Sequence, residues 1–533
     1  MLGPAGHAQT SPQPPQQAPR GLPSLGDAGD MTTLEERKLG DAIARELYRD
    51  PDYLDDPIVG EYVDGIWRAL RGGARARGEL PAELDERYAW QVLLGRDGSI
   101  NAFALPGGYF GLHTGLVGVV SSRDELASVL AHEMTHVTQR HIPRMLGQQG
   151  RATPLMLAAL VLGAVAASRN PQAGAALATG GQAALIQQQL NFSRGMEREA
   201  DRIGFGIMTQ AGFAPEGFAG MFEKLQSASR INDNGDWPYL RSHPLTTERI
   251  ADMRQRLQGL AHAGRTPAAG PPQGGRAPSG GSAAGEAAER GGQDLEALLI
   301  AARARVLGRP GMDVLRAWAG EPEQPGFAQQ PPGRRAGALY AAALAHAELR
   351  DLPRAQARAT QLALAVAGDA RAAQQARLLQ AELALKAGQP ARALELLPAA
   401  ARPANAAADS QTGRATLLLR AQAQTRGGQA AEAASALQPW VSDHPRDAGA
   451  WQALAAAWAA QGQTLRQLRA EGEAQMAHLD YAGAVDRWRA AQDFSRQQRG
   501  GSADLIEASI VDARLREGRE LLRQQQEDEK KRR

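Results

Sequence analysis

The sequence of 533 residues contains no cysteine and carries a formal net charge of only +2. The lack of cysteine excludes thiolate metal ligands, a cysteine nucleophile and any disulfide framework. The near-neutral charge balance indicates neither a nucleic-acid surface nor an acidic partner, and we expect no nucleic acid to bind. The absence of cysteine is compatible with either side of an inner membrane, so the compartment must be inferred from other features.

Long apolar segments are also scarce. The longest run, Leu155 to Ala167, is too short to cross a bilayer, so we expect a soluble protein. Residues 1–32 are rich in Pro, Gly and Gln, show no apolar core of a signal peptide, and are predicted to be disordered. The stretch from Ala5 to Gln9 fits the tail of a signal-peptide cleavage region. A periplasmic location is therefore our expectation, with a cytoplasmic location as the alternative.

The chemistry of the chain centres on an H-E-x-x-H motif at residues 132–136. On a helix, His132 and His136 lie one turn apart on the same face, so their imidazoles can bind one metal ion. Glu133, next to the first histidine, is placed to accept a proton from a water molecule at the metal. Because such five-residue matches also arise by chance, a third ligand is required before a metal site can be inferred.

The helix that carries the motif is predicted from its flanking residues. Ser122 and Glu125 form a capping-box pattern at its start, and Pro143 marks its end. On this helix His141 falls about half a turn away from the face of the two motif histidines, so it is not included in the site. His113 ends a predicted strand and is interpreted as structural.

A second helix, predicted from about Ser193 to Ala211, contains Glu197 and Asp201 one turn apart. Glu197 can supply the third ligand, which leaves a fourth position for water, as in catalytic zinc sites. Asp201 can hold the other ring nitrogen of a ligating histidine. A single glutamate on a helix is usually a solvated side chain, and it is the pairing with the first motif that predicts one zinc ion per chain.

With these two motifs the sequence resembles the gluzincin family of HtpX and the CaaX prenyl proteases, in which H-E-x-x-H precedes E-x-x-A-D. The agreement covers residues 33–258 and includes three further stretches and one arginine, namely Asn101–Gly108, Thr114–Leu116, Ser242–Pro244 and Arg249. Within this group the chain is most similar to the soluble periplasmic BepA-like proteases, which carry tetratricopeptide repeats.

The resemblance implies a zinc endopeptidase that acts on protein substrates in the quality control and assembly of outer-membrane proteins. It also implies that His243 and Arg249 face the zinc and stabilise the oxyanion of the tetrahedral intermediate. In a second interpretation, His243 occupies the fourth zinc position in the resting state and keeps the enzyme latent. The alternative function is a chaperone or scaffold that acts through helical repeats, although an intact Glu133 argues against a purely structural zinc site.

The fold class we predict is mainly α with a small antiparallel β-sheet, in a zincin-type metalloprotease domain. Thr33 and Glu36 are predicted to form a capping box at the start of its first helix. The periodicity predicts two N-terminal helices, Thr33–Tyr48 and Pro57–Leu70, and three strands, 88–94, 99–105 and 109–113. The strands should form a meander that leads into the metal helix. We expect the Asn101–Leu105 region to be an edge strand that binds an extended peptide through its main chain.

The segment 153–190 is apolar at first and then rich in Ala and Gly. It is predicted to form a pair of helices packed over the catalytic core. The alternative is a mobile lid that contacts a membrane or a hydrophobic substrate. Residues 259–293 follow the protease domain and are predicted to be a flexible linker, because Gly, Ala, Pro and Ser dominate without periodicity.

Residues 294–498 are predicted to be a tetratricopeptide-like helical domain, since a pattern of a turn followed by alanine recurs at 350–355, 388–393, 428–433 and 479–484. About four helical hairpins should form a solenoid with a concave face for protein clients. By resemblance, the partners include the outer-membrane protein assembly machinery, while packing against the protease domain is the simpler role. Residues 499–533 are predicted to be a charged, solvated helical tail.

Overall fold

The computed structural model describes residues 31–148, 193–231, 238–263, 293–398, 413–497 and 502–532. The N-terminal segment up to residue 30, the apolar segment 153–190 and most of the predicted linker lie outside the described residues. Among the residues that are described, no helix combines the length and the apolar character needed to cross a membrane.

Between residues 31 and 263 the described residues form ten α-helices and four strands, with one 3-10 turn at Pro106–Gly108. The helices are α1 Thr33–Arg49, α2 Pro57–Ala76, α3 Ala82–Arg87, α4 Thr114–Val117, α5 Arg123–Thr138, α6 His141–Gln148, α7 Arg194–Gln210, α8 Glu216–Ile231, α9 Pro238–Ser242 and α10 Thr247–Ala263. The strands are β1 Tyr53–Leu54, β2 Gln91–Gly95, β3 Ala102–Leu105 and β4 Tyr109–His113. The mainly helical class is thus confirmed, and α10 extends into the segment predicted as a linker.

The sheet is mixed, with the strand order β1-β2-β4-β3, so the predicted antiparallel meander is wrong in its pairing. Strand β2 runs parallel to β4, whereas β3 runs antiparallel to β4 and lies at the edge of the sheet. The connection from β2 to β3 crosses β4, and Gly115 N and Thr114 Oγ1 hold its start by donating hydrogen bonds to Asp97 O. The three predicted strands and the edge position of β3 are confirmed, while β1 was not predicted.

The capping box of α1 lies one residue earlier than predicted. Thr32 Oγ1 accepts a hydrogen bond from Glu35 N, and Glu35 Oε2 accepts one from Thr32 N at 2.8 Å. Glu36, which was predicted to complete the box with Thr33, is instead buried and accepts a hydrogen bond from the Tyr88 hydroxyl. The position of the capping box therefore depends on burial: Glu35 stays at the surface and closes the box, whereas Glu36 faces the interior.

The helix α5 that carries the H-E-x-x-H motif is nearly all buried and ends at Thr138, before the predicted stop at Pro143. Ser122 caps its start by accepting a hydrogen bond from Glu125 N at 3.2 Å. The Glu125 carboxylate does not close the box, because it accepts hydrogen bonds from Ser121 N and Lys224 Nζ. After α5 the chain turns at Arg140, and Pro143 lies in the first turn of α6, where proline is tolerated.

Residues 293–532 contain twelve α-helices within the described ranges, with two 3-10 turns at Glu321–Glu323 and Phe327–Gln329. The helices are α11 Leu295–Leu307, α12 Met312–Gly320, α13 Pro332–Glu348, α14 Leu352–Ala365, α15 Ala370–Lys386, α16 Pro390–Leu396, α17 Arg414–Arg426, α18 Ala430–Asp443, α19 Ala448–Ala460, α20 Thr464–Ala477, α21 Tyr481–Gln497 and α22 Ser502–Arg532.

Six pairs of consecutive helices among those described are joined by short turns, each with one residue in the left-handed region. The turn residues are Arg309, Arg350, Gly388, Gly428, Gly462 and Leu479, with φ of 53°, 64°, 71°, 80°, 69° and 60°. The alanine pattern marked four of these turns, at Arg350, Gly388, Gly428 and Leu479, and missed those at Arg309 and Gly462. It missed the turn at Gly462 because the helix after it starts with threonine and leucine. A tetratricopeptide solenoid remains a prediction, while a C-terminal region of paired helices is what the structure shows.

The C-terminal helix α22 was predicted to be a solvated tail, but part of it is packed against the preceding helix. Its residues Val511 and Leu515 are buried with Trp488 of α21 in a small apolar cluster. Farther along, Asp528 lies 3.0 Å from Lys38 Nζ of α1. The helix α22 is thus fixed by apolar packing around Val511 and Leu515, and its later, charged part is exposed at most positions.

We call residues 31–263 the first region and residues 293–532 the helical region. One continuous apolar core joins them. It includes Ile58 and Val63 of α2 together with Ile300 of α11, Leu385 of α15 and Leu419 of α17. Burial of apolar surface is the main favourable contribution to folding, so the helical region is packed onto the first region and not merely tethered to it.

Candidate metal centre

Four side chains from three parts of the first region converge in its interior. His132 and His136 extend from α5, Glu197 from the first turn of α7, and His243 from the residue after α9. One potential ligand atom from each lies within 4.8 Å of every other, and all four residues are buried. The Nε2 atoms of His132 and His136 are 3.1 Å apart, and each lies 3.5 Å from a Glu197 carboxylate oxygen.

Asp201 and Arg249 contact the residues of this cluster and hold them in place. Asp201 Oδ1 lies 3.0 Å from His132 Nδ1, which is the predicted contact with a ligating imidazole. Arg249 donates two hydrogen bonds to Asp201, at 2.6 and 2.7 Å, and lies 2.8 Å from Glu197 Oε2 through Nη1. A guanidinium that binds a carboxylate in this bidentate way fixes its orientation. The arrangement holds Asp201 and Glu197 in place relative to each other.

His243 lies directly among the other donor atoms. Its Nδ1 is 2.9 Å from Glu197 Oε1 and 3.3 Å from His132 Nε2, and its Nε2 is 3.5 Å from Glu133 Oε1. The backbone N–H of His243 donates to Tyr239 O at 2.8 Å, which anchors it to the end of α9. The imidazole therefore occupies the space between the ligand atoms and the predicted base.

Glu133 is buried between the metal cluster and the edge strand β3. Burial raises the pKa of Glu133, and the nearby imidazoles of His243 and His132 and the backbone N–H of Ala104 oppose that shift only in part. Ala104 lies in β3, so the predicted base lies beside the edge strand of the sheet.

The surroundings shift the pKa values of the two motif histidines in opposite directions. Burial lowers the pKa of His132, but hydrogen bonds to Asp201 and Glu197 outweigh burial and raise it to about 10. Burial lowers the pKa of His136 well below its ordinary value, and the charge of His132 adds to this effect. Burial would raise the pKa of Asp201, but hydrogen bonds from Arg249 and His132 outweigh it and lower the pKa. The carboxylates thus stabilise positive charge where the Nε2 atoms meet.

The donor set fits a zinc ion. Two imidazole nitrogens and one carboxylate are a ligand set of catalytic zinc sites, which keep a further position open. Two nitrogens on one tetrahedral zinc ion are about 3.3 Å apart, given Zn–N bonds of about 2.0–2.1 Å. The observed separation of 3.1 Å between the Nε2 atoms of His132 and His136 is close to that value.

His141 was excluded from the site on the basis of the sequence, yet it lies against it. Its Nδ1 is 2.9 Å from His136 Nδ1. The exclusion assumed that α5 continued to Pro143, whereas it ends at Thr138 and Arg140 adopts φ 51°. This change of direction brings His141 against His136, although His141 is not among the clustered ligand atoms. His113, interpreted as structural, contacts Ser99 Oγ at 3.0 Å and is not in the cluster.

The site lies within a region that matches a known family. Residues 76–257, which contain every residue of the cluster, match the sequence profile of peptidase family M48. This region is a peptidase family M48 domain. M48 metalloproteases use zinc, and the cluster of the M48 domain offers ligands for one such ion.

Named relatives agree with this assignment. The chain is 33% identical over 237 residues to the beta-barrel assembly-enhancing protease of Escherichia coli, covering 44% of this chain and 47% of that protein. It is 37% identical over 245 residues to a Vibrio cholerae protein provisionally given the same name, covering 46% and 49%. The mitochondrial metalloendopeptidase OMA1 of Saccharomyces cerevisiae is 29% identical over 205 residues, covering 37% and 55%. The match thus spans about half the length of these relatives.

Proposed function

We propose that this chain is a zinc-dependent endopeptidase that cleaves protein substrates. The observation that carries the proposal is the buried convergence of His132, His136, Glu197 and His243 within the M48 domain. His132, His136 and Glu197 would hold the zinc, and Asp201 and Arg249 would orient His132 and Glu197. When bound, zinc acts as a Lewis acid that polarises a carbonyl group and lowers the pKa of water.

Glu133 is the residue we assign to proton transfer. It would take a proton from the attacking water and pass it to the nitrogen of the leaving amine. The edge strand β3 beside Glu133 supports binding of an extended substrate through its main chain, since an edge strand offers unpaired backbone groups. Such binding requires little of the substrate sequence.

His243 is assigned a regulatory role at the same site. Its imidazole lies within 3.3 Å of His132 Nε2 and 2.9 Å of Glu197 Oε1, so it competes for the space in which water and substrate must be placed. A resting enzyme in which His243 occupies the open position is latent. The second assignment, in which His243 and Arg249 stabilise the oxyanion, requires both side chains to turn from their present partners.

The role we propose in the cell is the quality control and assembly of outer-membrane proteins in the periplasm. It is supported by relatives that carry the name beta-barrel assembly-enhancing protease. The helical region would bind clients or partners. A cavity of about 940 Å³ between the two regions supports this role, since aromatic and charged side chains line it, among them Trp67, Trp90, Arg414, Trp440 and Asp447.

The test uses the full chain and its Glu133→Gln variant, with Glu223→Gln as a control because Glu223 is exposed on α8. Zinc content is measured by elemental analysis and activity by cleavage of casein. We expect one zinc per chain in all three, with cleavage at least ~10²-fold slower in Glu133→Gln, the lower bound for loss of a general base. No bound zinc would overturn the metal site. Zinc without cleavage in the parent, together with retained binding of unfolded clients, would favour the chaperone or scaffold alternative.

A further inference from the structure

A second row of polar contacts leads away from the metal cluster through His136 and does not include Asp201. His136 Nδ1 lies 2.9 Å from His141 Nδ1, and His141 Nε2 lies 3.0 Å from Glu199 Oε2. Arg144 Nη1 donates to the same Glu199 oxygen at 3.2 Å. The His141 side chain is completely buried, whereas Glu199 is at the surface with 30% of its side chain exposed.

The Glu199 carboxylate at the surface decides which atom donates each hydrogen bond in this row. An ionised carboxylate only accepts hydrogen bonds, so Glu199 requires a proton on His141 Nε2. A neutral imidazole with its proton on Nε2 offers Nδ1 as an acceptor. His136 must then carry its own proton on Nδ1 and donate it to His141. The consequence is a lone pair on His136 Nε2, the atom that faces His132.

The local backbone makes this contact possible. Arg140, between the two helices, adopts φ 51°, and its guanidinium contacts the buried Glu36 at 3.2 Å. The ring centroids of His136 and His141 are 4.9 Å apart in an edge-to-face arrangement. A β-branched residue at the position of Arg140 would resist this backbone conformation.

We propose that His141 is a positioning residue that fixes the proton of His136 on Nδ1 and thereby keeps Nε2 available as a zinc ligand. The inference rests on the proposed zinc site and adds to it a support for the second histidine, which Asp201 does not contact. The two ligating imidazoles are thus held differently, His132 by a carboxylate and His136 by a neutral imidazole that is itself oriented by Glu199. Outer partners of this kind set the orientation and basicity of metal ligands.

The decisive comparison is between His141→Phe and His141→Asn in the full chain. Phenylalanine keeps the ring volume and removes the acceptor, whereas the Asn side-chain oxygen reaches about as far as Nδ1 and can still accept. Zinc affinity is measured by competition with a chromophoric chelator. We expect it to be about 10–100-fold weaker in His141→Phe and largely restored in His141→Asn. His346→Phe, at a buried histidine of α13, controls for the loss of a buried ring.

A second measurement does not depend on activity or on the folding of any variant. Imidazole ¹⁵N NMR of the zinc-loaded parent should show His136 protonated on Nδ1 and His141 protonated on Nε2. A proton on His141 Nδ1, or an unchanged zinc affinity in a folded His141→Phe variant, would overturn the role of His141 alone. A parent that binds no zinc would overturn the metal site itself, which separates the two failures.

Discussion

The carboxylate of Asp56 receives two hydrogen bonds from Arg303, from Nε at 2.9 Å and from Nη2 at 2.5 Å. Asp56 caps α2, which leads directly into the residues that match family M48, and Arg303 lies in α11 of the helical region. Both side chains are buried, and Arg303 also contacts Glu382 of α15. The ion pair therefore joins the two regions within their shared core.

We predict that Asp56→Asn destabilises the protein by about 3 kcal/mol, the lower end of the cost of breaking a buried ion pair, because Glu382 remains as a partner of Arg303. Asn can still accept the capping hydrogen bond, so the effect reports the lost charge. Asp64→Asn is the control, since the pair of Asp64 with Arg68 is exposed and worth about 0–1 kcal/mol. Denaturant unfolding measures both, and equal effects of the two substitutions would contradict the prediction.

The same pair should make stability depend on pH. Burial would raise the pKa of Asp56, but the charge and hydrogen bonds of Arg303 outweigh burial and hold it below its ordinary value. A depressed carboxylate pKa stabilises the fold above the pKa of the unfolded chain, about 3.9, and this stabilisation is lost as the pH falls through the folded pKa. The stability difference between the parent and Asp56→Asn should therefore be largest near neutral pH and shrink in acid. A difference that does not change with pH would exclude this origin.

We predict that His243→Ala raises the rate of casein cleavage while zinc content stays at one per chain. The physical reason is that the substitution removes an imidazole from the space beside His132 and Glu133. Glu223→Ala, at an exposed residue of α8, serves as the control. A fall in the rate of cleavage with unchanged zinc content would instead support the role of His243 in stabilising the oxyanion.

Arg249→Lys should weaken zinc binding by about 10–100-fold, because lysine lacks the planar fork that binds Asp201 through two nitrogens. The control is Arg256→Lys on the same helix, whose partner Asp252 is at the surface. Zinc affinity is followed by chelator competition, and kcat is measured at saturating zinc. A loss of kcat with unchanged zinc affinity would favour oxyanion stabilisation by Arg249 over positioning.

Gly204→Ala should destabilise the metal centre. A Cβ at Gly204 would lie 3.1 Å from the backbone of Ala131 and His132, where α7 packs against α5. Overpacking costs about 1–3 kcal/mol. Because the contacted atoms are helix backbone that cannot shift easily, we expect this cost to be larger than the gain of about 1 kcal/mol from replacing glycine in a helix. Gly259→Ala, at an exposed position of α10 with no neighbour within 4 Å, should show only the gain. Thermal unfolding compares the two, and a shift of the same sign would contradict the prediction.

Several features were predicted correctly because they depend on residues close in sequence. The helix around His132 follows from apolar periodicity and from the cap Ser122, and the start of the helix around Glu197 near Ser193 also agrees with the prediction. The spacing within each motif then places the ligand atoms on one face of each helix. The turns at Gly388 and Gly428 are likewise local, because glycine adopts positive φ without strain.

Other features depend on contacts between distant segments, which no local pattern records. The parallel pairing of β2 with β4, the position of Arg249 between Asp201 and Glu197, and the burial of Glu36 all follow from how the elements pack. His141 illustrates the difference most directly, because one left-handed residue at Arg140 decides whether it lies away from His136 or in contact with it.

The sequence by itself thus determined the helices that carry His132, His136 and Glu197 and indicated these residues as candidate metal ligands, since both follow from spacing and local propensity. Only the tertiary structure decided which groups surround the ligands, how the strands pair, and that the helical region shares a core with the M48 domain. The physical reason is that hydrogen bonds and apolar contacts between remote segments depend on distances that the whole packed chain sets.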